Sequence, residues 1–135
     1  MKHEFKQKVF YSDTDAYGVV WHGSYLRWLE MGRIGLCEIA GYSLSKLYEA
    51  DVTLPVVELN VRYKSPAKLE DELLITTELK ENSKLSMTFS QKIYNSKTMK
   101  LNIEASVKVV ATHNDGNLYR SFPDEMNDFV EKVKE

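Results

Sequence analysis

Near the N-terminus Phe5, Gln7, Val9 and Tyr11 alternate with Glu4, Lys6, Lys8 and Phe10, a period of two that predicts a strand ending near Tyr11. The run SDTDAYG then breaks the alternation with residues that favour turns. From about Ser24 to Ala40 the spacing changes to three and four, through Leu26, Leu29, Arg33, Leu36 and Ala40, which predicts a long helix stopped by Gly41. Gly32 and Gly35 interrupt that helix, each costing about 1 kcal/mol relative to alanine. They share one face, so close approach to a sheet or a second helix, or a subunit interface, would offset the cost. A short helical turn is expected over Leu44–Ala50.

The rest of the chain alternates almost throughout. Val57, Leu59, Val61 and Tyr63 form one run, and Leu73, Ile75, Thr77 and Leu79 the next. Leu85, Met87, Phe89, Gln91 and Ile93 follow, then Leu101, Ile103, Ala105, Val107, Val109 and Ala111. SPAKLED, KENSK and YNSKT separate these runs, and NDGN is a hairpin signal. Strands with one apolar face belong to an antiparallel sheet covered on one side. The tail PDEMNDFVEKVKE has proline and acids first, lysines last, and Met126, Phe129, Val130 and Val133 on one face, which together predict a helix. Strand, long helix, about four strands and a terminal helix make an α+β layout, with the long helix across the apolar face of the sheet.

At 135 residues the chain is expected to be a single domain over residues 1–135, with a real core. Its net charge of −2 argues against a nucleic acid or an anionic membrane as partner, although a local basic patch could hold an anionic ligand. Cys37 is the only cysteine, so neither an intrachain disulfide nor a cysteine metal cluster is expected. No apolar stretch approaches the length of a signal or a membrane span, which makes the cytoplasm the expected location.

Candidate chemistry gathers in YSDTDAYGVVWHGSYL, Tyr11–Leu26, where two carboxylates and an imidazole lie among aromatic and apolar residues. Asp13, Asp15 and Gly18 fit the start of a calcium loop, but Tyr17 and Ser24 stand where an oxygen donor and a bidentate glutamate are needed. His22 has no spaced zinc partner. One remaining reading is structural, with Asp13 and Asp15 shaping a turn and His22 opening a helix. The other is catalytic. Val19, Val20 and Trp21 lead the segment into apolar surroundings, which tend to raise a carboxylate's pKa. A helix start near His22 would aim N–H groups at a developing oxyanion.

The run YSDTDAYGVVWHGSYLRWLEMGR resembles the hotdog-fold acyl-CoA thioesterases, in the branch of 4-hydroxybenzoyl-CoA thioesterase and the Tol-Pal-associated enzymes. Asp13, Asp15, Gly18, Val19, Val20, Trp21, His22 and Tyr25 carry the match, and RYKSPAKLEDELLITTEL is similar to the family's following segment. The resemblance implies an antiparallel sheet wrapped around the long helix, hydrolysis of an acyl-CoA to a carboxylic acid and free coenzyme A, and a site formed between the subunits of a homodimer or homotetramer. It implies no cofactor, since coenzyme A is part of the substrate. Asp15 matches the catalytic carboxylate, nucleophile or general base. His22 matches the position beside the thioester, its N–H polarising the carbonyl, and Tyr11 a tyrosine four residues before the aspartate. Asp13 is expected to cap the turn.

Gly18, Val20, Trp21 and Tyr25 are expected around the substrate, with Glu58 either tuning substrate choice near the acyl pocket or simply facing water, and Lys64, Lys68 and Lys84 as candidates for the coenzyme A phosphates. Tyr42, Leu47, Val57 and Leu59 are further pocket candidates. Tyr11 could also be core, Cys37 a buried small side chain, and Glu30 with Arg33 a structural ion pair. Rival functions are hydrolysis of acyl-carrier-protein thioesters and non-catalytic binding of acyl-CoA on the same fold.

Overall fold

A computed structural model describes residues 1–135. Strand β1 (Lys2–Lys8) leads to helix α1 (Ser24–Ile39) and the short α2 (Leu44–Glu49). Strands β2 (Val56–Tyr63), β3 (Glu72–Asn82), β4 (Ser86–Asn95) and β5 (Leu101–Val110) precede the terminal α3 (Asn127–Lys134). The five strands make one antiparallel sheet in the order β1-β3-β4-β5-β2, with the long helix packed on one face, the expected hotdog arrangement.

Alternation works because one face of the sheet meets the helix. Leu73, Ile75, Met87, Phe89, Ile93, Ile103 and Val107 are all fully or almost fully buried. One end of α1 packs Tyr25, Trp28 and Leu29 with Ile75, Ile93 and Ile103. Its other end packs Leu36, Cys37 and Ala40 with Met87, Phe89 and the α3 residues Met126, Phe129, Val130 and Val133. The helix lies over β1, β3 and β4. Its buried stripe is therefore rotated from the expected one: Trp28 and Gly32 occupy it, and Arg33 lies half-buried on its flank.

Gly32 and Gly35 face the chain's own sheet, not a subunit interface. A Cβ on Gly32 would stand 2.5 Å from Thr77 Oγ1 and 3.0 Å from Gln91 Nε2, and one on Gly35 would run into the His3 ring. Gly41, at φ +92°, ends the helix as expected, its N–H donating to the Glu38 carbonyl.

Two expectations are corrected. The first strand stops at Lys8, and Tyr11 lies in a 3-10 turn with 82 % of its surface exposed, so it belongs to no core face. Asp13 causes the break, because its carboxylate accepts the Phe10 N–H (2.9 Å) and folds the chain back. Strand β2 alternates as expected, but it is an edge strand and only Val61 is even half-buried. Leu59, Val61 and Tyr63 pair with Val107, Ala105 and Ile103, which puts them on the helix side of the sheet, where Val61 packs on the core, Tyr63 meets the Tyr25 ring and Leu59 stays exposed.

Thr77 and Gln91 are both fully buried and hydrogen-bonded to each other, so neither can give way to a methyl at position 32. Gly32→Ala is expected to lose about 1–3 kcal/mol in a urea melt through overpacking, more than the roughly 1 kcal/mol gained in helix propensity. Gly35→Ala should be milder, since the His3 ring lies on an edge strand and can swing aside.

Candidate active site

The motif folds as a miniature hairpin. The Trp21 N–H donates to the Asp13 carbonyl, the Asp15 N–H to the Val19 carbonyl (both 2.9 Å), and Thr14 bridges Val20. Gly18 closes the tip at φ +78°, a left-handed conformation that suits glycine, and its N–H donates to the Asp15 carbonyl (3.0 Å). The hairpin is tied to the connection between β2 and β3 by the Val20 N–H on the Ala67 carbonyl and a bridge from Val19 to Lys68.

Asp13 is the structural aspartate. It is buried, its carboxylate accepts the Phe10 N–H and pairs with Arg27, and its carbonyl also accepts the Ser24 hydroxyl (3.0 Å). One residue thereby joins the exit of β1, the hairpin and the first turn of α1. Asp15 is half-exposed. One of its carboxylate oxygens accepts the Tyr17 N–H (2.8 Å), and the other accepts no hydrogen bond within the chain. The carboxylate lies in an open hollow of about 510 Å³ with Tyr11, Thr14, Gly18 and Leu69. The structure thus brings Tyr11 to Asp15.

His22 lies on the other side of the hairpin, in a hollow of about 210 Å³ with Val20, Tyr25, Tyr63 and Lys64. Neither the His22 nor the Gly23 N–H donates within the chain. Both peptides are nevertheless fixed, because the Trp21 carbonyl accepts the Ser24 N–H (2.9 Å) and the His22 carbonyl accepts the Tyr63 hydroxyl (3.0 Å). Free donors on immobilised peptides at a helix start suit an oxyanion. The Trp21 ring, half-exposed rather than buried, covers Gly23 and tilts against the His22 ring at 5.1 Å. Tyr25 is buried, and burial pushes its phenol up, so it stays neutral and accepts the Ala67 N–H (3.0 Å).

The remaining candidates separate. Lys64 lines the His22 hollow and Lys68 adjoins the hairpin. Glu58 sits on the outer face opposite Lys108, away from the helix side. Lys84 follows β3, whereas the Asp15 hollow adjoins the start of that strand, so the two lie on the order of 30 Å apart at about 3.3 Å per residue. Glu30 and Arg33 form no ion pair, since Arg33 turns inward to Gln91 (3.0 Å). Cys37 is buried as expected, its thiol pushed up to about 12 by burial. Tyr42 packs edge-on against Phe129.

A family model described as the thioesterase-like superfamily matches residues 9–130. The chain belongs to the thioesterase-like superfamily. Another relative is the acyl-CoA thioester hydrolase YbgC of Escherichia coli, 39% identical over 103 residues, 76% of each chain. Among solved structures, a 1,4-dihydroxy-2-naphthoyl-CoA thioesterase from Synechocystis superposes with a TM-score of 0.87 at 18% identity, covering 100% of this chain and 99% of the other. A 4-hydroxybenzoyl CoA thioesterase complexed with 4-hydroxybenzoyl CoA superposes at 0.85 with 23% identity, covering 98% of each. Those two likenesses concern the fold. For this thioesterase-superfamily chain, three contributors to the site escaped the sequence pattern: Arg27, which holds Asp13, Tyr63, which holds the His22 peptide, and Leu69, which walls the Asp15 hollow. Only Arg27 carried a signal, as a basic residue just inside the helix that follows two aspartates.

Asp13→Ala is expected to lower stability by about 1–3 kcal/mol, since it strands the Phe10 N–H and Arg27. Urea unfolding of the variant beside Asp15→Ala, which should lose far less, checks the division of labour between the two aspartates.

Proposed function

We propose that the chain hydrolyses acyl-CoA thioesters, with Asp15 driving the attack and the free N–H groups at His22 and Gly23 holding the carbonyl oxygen. The observation that carries this reading is the pairing of a carboxylate, one oxygen fixed and the other free, with fixed, unpaired peptide donors on the same hairpin. Membership of the superfamily and the name of the Escherichia coli relative support the substrate class.

The chemistry follows from those groups. As general base, Asp15 takes a proton from water while the oxygen of that water bonds to the thioester carbon. As nucleophile, it bonds to that carbon itself and the resulting anhydride is opened by water. On either route the negative charge grows on the carbonyl oxygen, where the helix-start donors stabilise it. The C–S bond then breaks, and the thiolate leaves with a proton to give coenzyme A and a carboxylic acid. Tyr11 stands beside Asp15, the His22 imidazole beside the thioester, and Lys64 and Lys68 near the nucleotide. No metal or redox cofactor enters. No helix is long and apolar enough to cross a membrane, and a free buried thiol suits the reducing cytoplasm proposed as the protein's location.

Asp15 and His22 line separate hollows in a single chain, which supports a site completed by a second copy. The exposed β2 edge, with its apolar inner face, suits antiparallel pairing with the same strand of a partner. Two-fold pairing sets the Tyr63 end of one copy beside the Val56 end of the other.

Asp15→Asn should lower kcat by about a hundredfold or more while the melting curve stays near that of the wild type. Near-normal release of free thiol by this variant would sink the mechanism. Leu59→Lys, which charges the pairing face of β2, should give a monomer in sedimentation with most turnover lost. A monomer with full turnover would overturn the shared site.

A further inference from the structure

A predominantly apolar cavity of about 420 Å³ lies beyond the hairpin, between α1, α2 and the Val56 end of β2. Ile34, Cys37, Leu47, Val52, Phe89 and Val109 supply much of its apolar lining, and only two of the residues around it are charged, Glu30 and Arg33. The hydrolytic mechanism uses neither.

Arg33 is an unusual wall for such a space. Its Nη1 donates to Gln91 Oε1 (3.0 Å), its one hydrogen bond within the chain, and no carboxylate lies within ion-pair distance. Gln91 is itself immobile: it is fully buried, and its amide nitrogen donates to the Leu29 carbonyl and to Thr77 Oγ1 (both 2.8 Å). One arm of the guanidinium is therefore anchored beneath the helix, while the rest of its planar fork of donors is left for the cavity. Burial also weakens its hold on the proton, which Glu30 opposes through space. A partly buried cation with no carboxylate paired directly to it is costly, and an oxygen brought to it recovers part of that cost.

We propose that this cavity receives the acyl group and that Arg33 is a specificity-determining residue, donating hydrogen bonds to an oxygen carried on the acyl chain away from the thioester. The proposal rests on the thioesterase reading above. In the two-fold arrangement each cavity adjoins the Tyr63 end of the partner's strand, where the thioester is held, so an acyl chain has a route into it. The preferred substrates are then oxygenated acyl-CoAs, because a plain hydrocarbon chain leaves the guanidinium unsatisfied. The shared chemistry is an accepting oxygen. A hydroxyl could also donate to Glu30, whereas a carboxylate would pair with Arg33 alone.

The test measures kcat/KM for a series of straight-chain saturated acyl-CoAs and their terminal-hydroxyl and terminal-carboxylate analogues of equal length. At the length that spans the cavity, wild type should favour at least one oxygenated analogue over the plain chain by roughly tenfold or more. Arg33→Met should bring that ratio close to one, and Arg33→Lys should retain part of it. A ratio within one preparation is insensitive to how much of the variant has folded, so damage to the Gln91 network cannot imitate the result. Which analogue gains separates hydroxyl from carboxylate recognition. No preference at any length in wild type, or a preference that survives Arg33→Met, overturns the assignment while leaving the hydrolase intact. Failure of wild type to cleave any acyl-CoA, plain chains included, overturns both.

Discussion

The buried carboxylate of Asp13 is the joint on which the site depends. Its side chain turns the backbone at Phe10 and engages Arg27, and its carbonyl receives both the returning hairpin strand and the Ser24 hydroxyl. Three segments that would otherwise move independently are thereby held together at one residue. The position of Asp15 and the direction of the His22 and Gly23 N–H groups both follow from it. Two aspartates one residue apart thus divide the work, one buried and saturated with partners, the other half-exposed with a free oxygen. A charge with all its partners made is a scaffold, and one left incomplete is available for chemistry.

A second layer of constraint lies under the helix. Gly32 lets α1 come close enough to the sheet for Gln91 to reach the Leu29 carbonyl, and Thr77 completes the amide's bonds. This polar contact sits inside an otherwise apolar core, and it also anchors Arg33. Helix placement, sheet and cavity wall are therefore set by the same few groups.

Much of the architecture was legible because α1 and β3 to β5 bury one face each, and a buried face imposes its period on the residues. The α1 boundaries follow within a residue, and the buried residues of α3 are those its spacing marks. Legibility failed where a long-range polar contact overrides periodicity. Tyr11 continues the alternation of β1, yet Asp13 turns the chain before reaching it. Arg33 fits the helical spacing, yet a glycine one position earlier is what the sheet accepts. Lys84 is suggested by its charge alone, and Glu58 by its strand. Alternation assigns a residue to a face but not that face to a site, and nothing local tells which end of a long hairpin approaches the motif. Asp15 and His22 were visible through their motif, whereas Tyr63, far along the chain, becomes a partner of the His22 peptide only after folding.

The bare edge of β2 also bears on how such a chain is made. The backbone donors and acceptors on its free side and the exposed Leu59 side chain lack cover from the chain itself. An open strand of this kind will pair with whatever strand it meets first. The edge proposed to recognise a sister chain is therefore also the edge most exposed to misassociation.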